Sequence, residues 1–131
     1  MRYLLDTNTV IYFFKGTGQV AENLLQTPPK DIGIPAIVLF ELEVSLGKSN
    51  SPEKRREQLQ TLVDQVTVIP FGEEEAKCAA EVGTSLEKLG TPIEPIDNLI
   101  AGTALADKTI LVTHNSKKFT RIEGLETVDW F

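Results

Sequence analysis

The sequence predicts an α/β domain with a parallel sheet, and three observations carry that reading. Short apolar runs alternate with helical patterns along the whole chain, which calls for crossover connections, parallel strands and helices packed on the sheet. The opening run, Tyr3-Leu4-Leu5, has no polar alternation, as expected of a strand covered on both faces. Asp6 follows it directly, with Thr7 and Asn8 behind, and the carboxyl end of a parallel strand is where open α/β sheets bind their ligands.

The elements follow in order. Residues 7–15 carry Val10, Ile11, Tyr12, Phe13 and Phe14 and stop at Gly16, a short helix with a capping start and a glycine end. A second helix over 19–26 is broken by Thr27-Pro28-Pro29. Asp31 to Pro35 reads as a strand. Ala36 to Leu46 reads as a helix so apolar, with Ile37, Val38, Leu39, Phe40, Leu42, Val44 and Leu46, that burial on nearly all sides is expected. Pro52 opens an amphipathic helix reaching Gln65, with Leu59, Leu62 and Val63 on one side. A strand over 66–71 leads to a long helix over 73–89, with acids at its start and Gly90 at its end. The helix over 96–106 has small residues, Ala101, Gly102, Ala104 and Ala106, suited to close packing against the sheet. Thr109 to Thr113 is the clearest strand, residues 114–119 a loop or helical turn, and 125–130 a weak final strand.

With 131 residues, 41% hydrophobic and 24% charged, the chain suits a single domain over 1–131 with a real core. No apolar run is long enough to span a bilayer. Asp6 and Asn8 interrupt the opening apolar stretch, which argues against a signal peptide, so a cytoplasmic protein without membrane association is expected. The one cysteine, Cys78, has no internal disulfide partner and reads as an inert core residue. The net charge of −6 argues against a nucleic-acid partner, unless several acids share a metal site, where a bound cation reverses the local field.

Three acids occupy settings unusual for surface charges: Asp6 at a strand end, Glu41 between Phe40 and Leu42, and Asp97 in the first turn of the helix after Pro95. Asp6 and Asp97 also read as ordinary helix-end residues. Glu41 is harder to account for, because a charge on a nearly all-apolar helix is costly unless paired or metal-bound. Glu43, on a different face of that helix, is expected to reach solvent. If the three converge, their repulsion demands a cation; hard ions such as Mg²⁺ or Mn²⁺ choose carboxylate oxygen, and such an ion beside a phosphodiester sets up hydrolysis by in-line attack. The single histidine, His114, excludes mechanisms needing two, and reads as structural or RNA-contacting. No nucleophile elbow G-x-S-x-G is present. Gly47-Lys48-Ser49 is not a phosphate-binding loop, since position 42 is Leu and the preceding segment is helical.

Four pieces in sequence resemble the PIN-domain ribonucleases, more closely the VapC-type toxins of type II toxin–antitoxin systems. They are Leu5-Asp6-Thr7-Asn8, Phe40-Glu41-Leu42 followed by Gly47, Pro95 to Gly102, and Leu111-Val112-Thr113-His114-Asn115. The resemblance implies a PIN-like three-layer fold with a five-stranded parallel sheet flanked by helices. It implies a Mg²⁺-dependent endoribonuclease (Mn²⁺ being the second choice of ion) with Asp6, Glu41 and Asp97 as the acidic cluster. In that reading Asp6 and Asp97 hold the metal, and Glu41 completes its shell or orients water. Asn115 stands where many PIN domains carry a further acid, and Lys117 and Lys118 nearby are not acids either. This puts a second tightly held metal in doubt and casts Asn115, Thr113 and Asn8 as supporting residues around the site.

The basic residues fall in two groups. Lys48, Lys54, Arg55 and Arg56 suit a solvated face, with Glu53 and Glu57 as helical-neighbour partners. Lys108, Lys117, Lys118 and Arg121 form the second, and Lys117, Lys118 and Arg121, after the strand leading to Asn115, suit RNA phosphate contact. The resemblance further implies a cognate VapB-type antitoxin whose C-terminal segment covers the acidic groove, a homodimer, and tRNA as substrate, with enteric members of the family suggesting the initiator tRNA. The alternative is a PIN-like module that binds RNA or protein without cutting. A receiver-type signalling domain fits less well: Asp6 is followed by Thr7, and the third strand by Pro70-Phe71, so the acid pair and the phosphoacceptor are missing.

Overall fold

The computed structural model describes residues 2–131. Its strands are β1 (Tyr3–Leu5), β2 (Ile32–Pro35), β3 (Thr67–Ile69), β4 (Ile110–Val112) and β5 (Thr127–Val128). They form one parallel sheet in the order β3-β2-β1-β4-β5. The helices are α1 (Thr7–Lys15), α2 (Val20–Leu25), α3 (Ala36–Gly47), α4 (Glu53–Gln65), α5 (Glu73–Lys88) and α6 (Pro95–Asp107). Single 3-10 turns cover Pro29–Asp31 and Ser116–Lys118.

The apolar opening run becomes the central strand. Tyr3 is in register with Ile32 on one side and Ile110 on the other. Leu4 and Leu5, together with Ile34, Leu111 and Val112, are fully buried, as a strand covered on both faces requires. β1, β2 and β3 are each followed by helices that return the chain to the same edge, whereas β4 reaches β5 through a 3-10 turn. The direction of winding changes at β1: β2 and β3 lie on one side, β4 and β5 on the other. The crevice at the carboxyl ends of β1 and β4 is thus the switch point at which such sheets bind ligands.

Local chemistry sets the helix ends. Asp6 caps α1, its carboxylate accepting from the Thr9 N–H at 2.9 Å, and Gly16 ends it in the left-handed region at φ 68°, where glycine bears no Cβ penalty. The Gly72 N–H donates to Glu75 at the start of α5. Pro95 occupies the first turn of α6, where its missing N–H costs nothing.

Two expectations are corrected. The α3 helix is not buried on nearly all sides. Val38, Leu42 and Leu46 form its buried stripe, whereas Phe40 is 58% and Val44 41% exposed. The buried stripe lies on one side of the helix, and Phe40 and Val44 on the other are open to solvent. The small residues of α6 serve its packing on α5 more than on the sheet: a Cβ at Gly102 would lie 2.5 Å from the Ala79 backbone. Glycine there lets two helix backbones approach more closely than any side chain permits. Among the described residues no helix is long and apolar enough to cross a membrane.

Candidate active site at the carboxyl edge of the sheet

Asp6 leaves the end of β1 and is 8% exposed. Its N–H donates to the Val112 carbonyl of β4 at 3.2 Å, and the Thr9 hydroxyl donates to the same carbonyl at 3.0 Å. The first turn of α1 is therefore fastened to the end of β4 by two bonds. Asp6 spends one carboxylate oxygen on its helix cap.

Glu41 reaches this edge from α3. It is half-buried rather than deeply enclosed, so the cost of burying a charge is smaller than its apolar neighbours suggest. What fixes it is Thr7, whose hydroxyl donates a short hydrogen bond to Glu41 Oε1. Sequence reasoning gave Thr7 no role; its only signal was its place next to Asp6. Glu43 behaves as expected and points to solvent, 3.7 Å from Arg56.

Asp97, in the first turn of α6, is joined to the segment after β4. Its Oδ2 lies 2.8 Å from Lys118 Nζ, with the two side chains 16% and 31% exposed. Thr113 is fully buried, and its hydroxyl accepts from the Asn115 N–H at 3.1 Å, setting the direction of the chain as it leaves β4. Asn115, Asn8, Lys117 and Arg121 are exposed. Direct bonds thus link Asp6 and its neighbour Thr7 to β4 and Glu41, and Asp97 to the turn that follows Asn115. Lys118, expected to contact RNA, is paired with Asp97 in this structure. Among the described residues no three acid, His or Cys side chains close around one point.

A PIN-domain family model matches residues 3–125. The chain belongs to the PIN-domain family. Ribonuclease VapC2 of Rickettsia felis is 36% identical over 135 residues, covering 99% of this chain and 98% of that protein. A tRNA(fMet)-specific endonuclease VapC of Shigella flexneri is 28% identical over 130 residues, with the same coverage. Among solved structures, VapBC2 from Rickettsia felis bound to a promoter DNA fragment superposes with a TM-score of 0.92 and 33% identity, covering 100% of each chain. This PIN domain is of the VapC kind, and its five-stranded parallel sheet flanked by helices is the one the sequence predicts.

Other features of this PIN domain lie apart from the acids. His114 Nδ1 is 3.0 Å from Asp129 Oδ2, and its ring stacks on Phe131 at 4.0 Å, with Tyr12 edge-on to both. That commits the ring to a structural cluster. Burial alone would raise the Asp129 carboxyl, but the Phe131 N–H and the neighbouring His114 hold it below the usual carboxylate range. A broad apolar groove lined by Cys78, Val82, Leu86, Leu89 and Ile122 contains none of the three acids. Cys78 is half-buried at its wall rather than in the core; burial first, then Glu81, Glu74, Glu75 and Asp107, push its thiol up, which favours the thiol over the thiolate. The pairs expected among Lys54, Glu57, Glu53 and Arg56 do not form. Arg56 meets Glu43, and Arg55 lies over the Phe14 ring.

Proposed function

We propose that this PIN domain is a divalent-cation-dependent endoribonuclease, a VapC-type toxin that a VapB-type antitoxin neutralises. The supporting observation is that Asp6 is bonded to the end of β4, Glu41 to Thr7 just beyond β1, and Asp97 to Lys118 in the turn that follows β4. Its relatives carry the names ribonuclease and endonuclease, and solved neighbours are VapBC assemblies, which supports both the activity and the partner.

The donors suit a hard cation. Every one is oxygen: carboxylates of Asp6, Glu41 and Asp97 and the amide of Asn115. The loose grouping fits Mg²⁺, which is commonly held by one or two carboxylates with water filling the rest. Asp6 and Asp97 would hold the ion. When bound, it supplies charge neutralisation at the phosphate and a more acidic water.

The chain's own groups do the remainder. Thr7 holds Glu41 by one oxygen, leaving the other to accept a proton from the attacking water. Asn115, whose backbone N–H is held by Thr113, would offer its exposed side-chain amide to that water or to a phosphate oxygen. Lys117 and Arg121 offer exposed charge to the RNA backbone. The relative named for tRNA(fMet) supports tRNA as the substrate class.

The test is incubation of purified protein with total cellular RNA, with Mg²⁺ and with EDTA, beside Asp6→Asn. Discrete fragments that need both the ion and Asp6 are expected. Fragments that persist with Asp6→Asn would remove the acidic site as the source of cleavage. RNA binding without cleavage, in a folded protein, would favour the non-cutting module. Cutting elsewhere with initiator tRNA intact would remove that substrate alone.

A further inference from the structure

Lys118 is an unexpected neighbour for a candidate metal-holding carboxylate. Its ammonium lies 2.8 Å from Asp97 Oδ2 and both side chains are mostly covered, so the contact is a charge-assisted hydrogen bond with less solvent screening than a surface pair. A divalent ion that takes Asp97 must either displace this ammonium or sit beside a like charge. The cost of either falls on cation binding. Lys118 also shares a shallow cleft with Asp97, Glu94 and Arg121, so an ammonium released from Asp97 stays beside the exposed Arg121 guanidinium.

We propose that Lys118 is a built-in competitor of the divalent cation. It neutralises Asp97 in the cation-free protein, gives Asp97 up when the ion enters, and then pairs with an RNA phosphate. The inference rests on the cation-dependent reading above. It makes ion and RNA mutually dependent: each favours the state in which Lys118 has left Asp97, so each tightens the binding of the other by the same factor. Free protein then holds its ion weakly and protein on RNA holds it firmly.

The test is calorimetric titration of Mn²⁺ into purified wild type, Lys118→Met, Lys118→Arg and Asp97→Asn, without RNA and with a 2′-O-methyl RNA that resists cleavage, folding being checked by circular dichroism. Lys118→Met is expected to bind Mn²⁺ about tenfold more tightly than wild type without RNA, equivalent to about 1.4 kcal/mol. Lys118→Arg keeps the charge and is expected to stay weak. The RNA is expected to tighten Mn²⁺ binding in wild type and to lose most of that effect in Lys118→Met. Equal or weaker Mn²⁺ affinity in folded Lys118→Met, with binding still lost in Asp97→Asn, overturns the competitor role and leaves the metal site standing. Absence of Mn²⁺ binding in both wild type and Lys118→Met, with and without RNA, overturns the site and the competitor role together.

Discussion

Thr7 shows how a neutral side chain governs a charged one. Glu41 sits on a helix whose other contacts do not fix its carboxylate, and the Thr7 hydroxyl does. Thr7→Val is isosteric and removes that bond. It is expected to lower RNA cleavage about tenfold to a hundredfold through misplacement, while stability falls by only about 1 kcal/mol; Thr7→Ser is expected to restore activity. Cleavage assays beside thermal melts separate the two effects, and wild-type activity in Thr7→Val would remove the assignment. Asp129 gives a pH prediction. Its carboxyl titrates below the ordinary range because the Phe131 N–H and His114 outweigh burial. A lowered folded value means stabilisation that is present above the unfolded value, about 3.9, and lost as pH falls through the folded one. Asp129→Asn is therefore expected to be less stable at neutral pH and to lose less stability than wild type as pH falls below the unfolded value of about 3.9, followed by circular dichroism. At this scale the sequence showed which acids are oddly placed. It did not show Thr7 or the Lys118 pairing, because both bonds join residues far apart in the chain and no local pattern encodes them.

At the scale of elements, α5 and α6 meet through small residues, and Gly102 is the point of closest approach. Two effects compete in Gly102→Ala. Better helix propensity favours alanine by about 1 kcal/mol. Against it, the new Cβ would meet the Ala79 backbone at 2.5 Å, which cannot move aside as a flexible side chain can. Overpacking of this kind costs about 1–3 kcal/mol or more, so net destabilisation is expected in denaturant melts. An increase in stability would show that the two helices separate easily. The elements themselves were legible: α1 and its Gly16 stop match residue for residue, and others shift by one or two positions at their ends, as capping residues do. The exposure of Phe40 and Val44 was not legible. Apolar residues all around a helix predict burial all around, whereas α3 buries only the Val38, Leu42 and Leu46 stripe.

For the whole molecule, the net charge of −6 makes nucleic-acid binding a local matter. Repulsion from the bulk of the protein must be overcome by a few cations near the acidic edge. Replacing exposed Lys117 and Arg121 with Gln is expected to weaken RNA binding and reduce the slope of log K against log salt by about 1–2, measured with the cleavage-resistant RNA. An unchanged slope would place the RNA elsewhere. The sheet order also bears on when the protein becomes dangerous. The central strand comes from residues 3–5, yet its β4 neighbour is formed by residues 110–112, and the carbonyl that fastens Asp6 belongs to Val112. Pairing at such sequence separation comes late, after a long loop has closed. A chain that stops before residue 112 therefore lacks both the β4 neighbour of the central strand and the carbonyl that fastens Asp6.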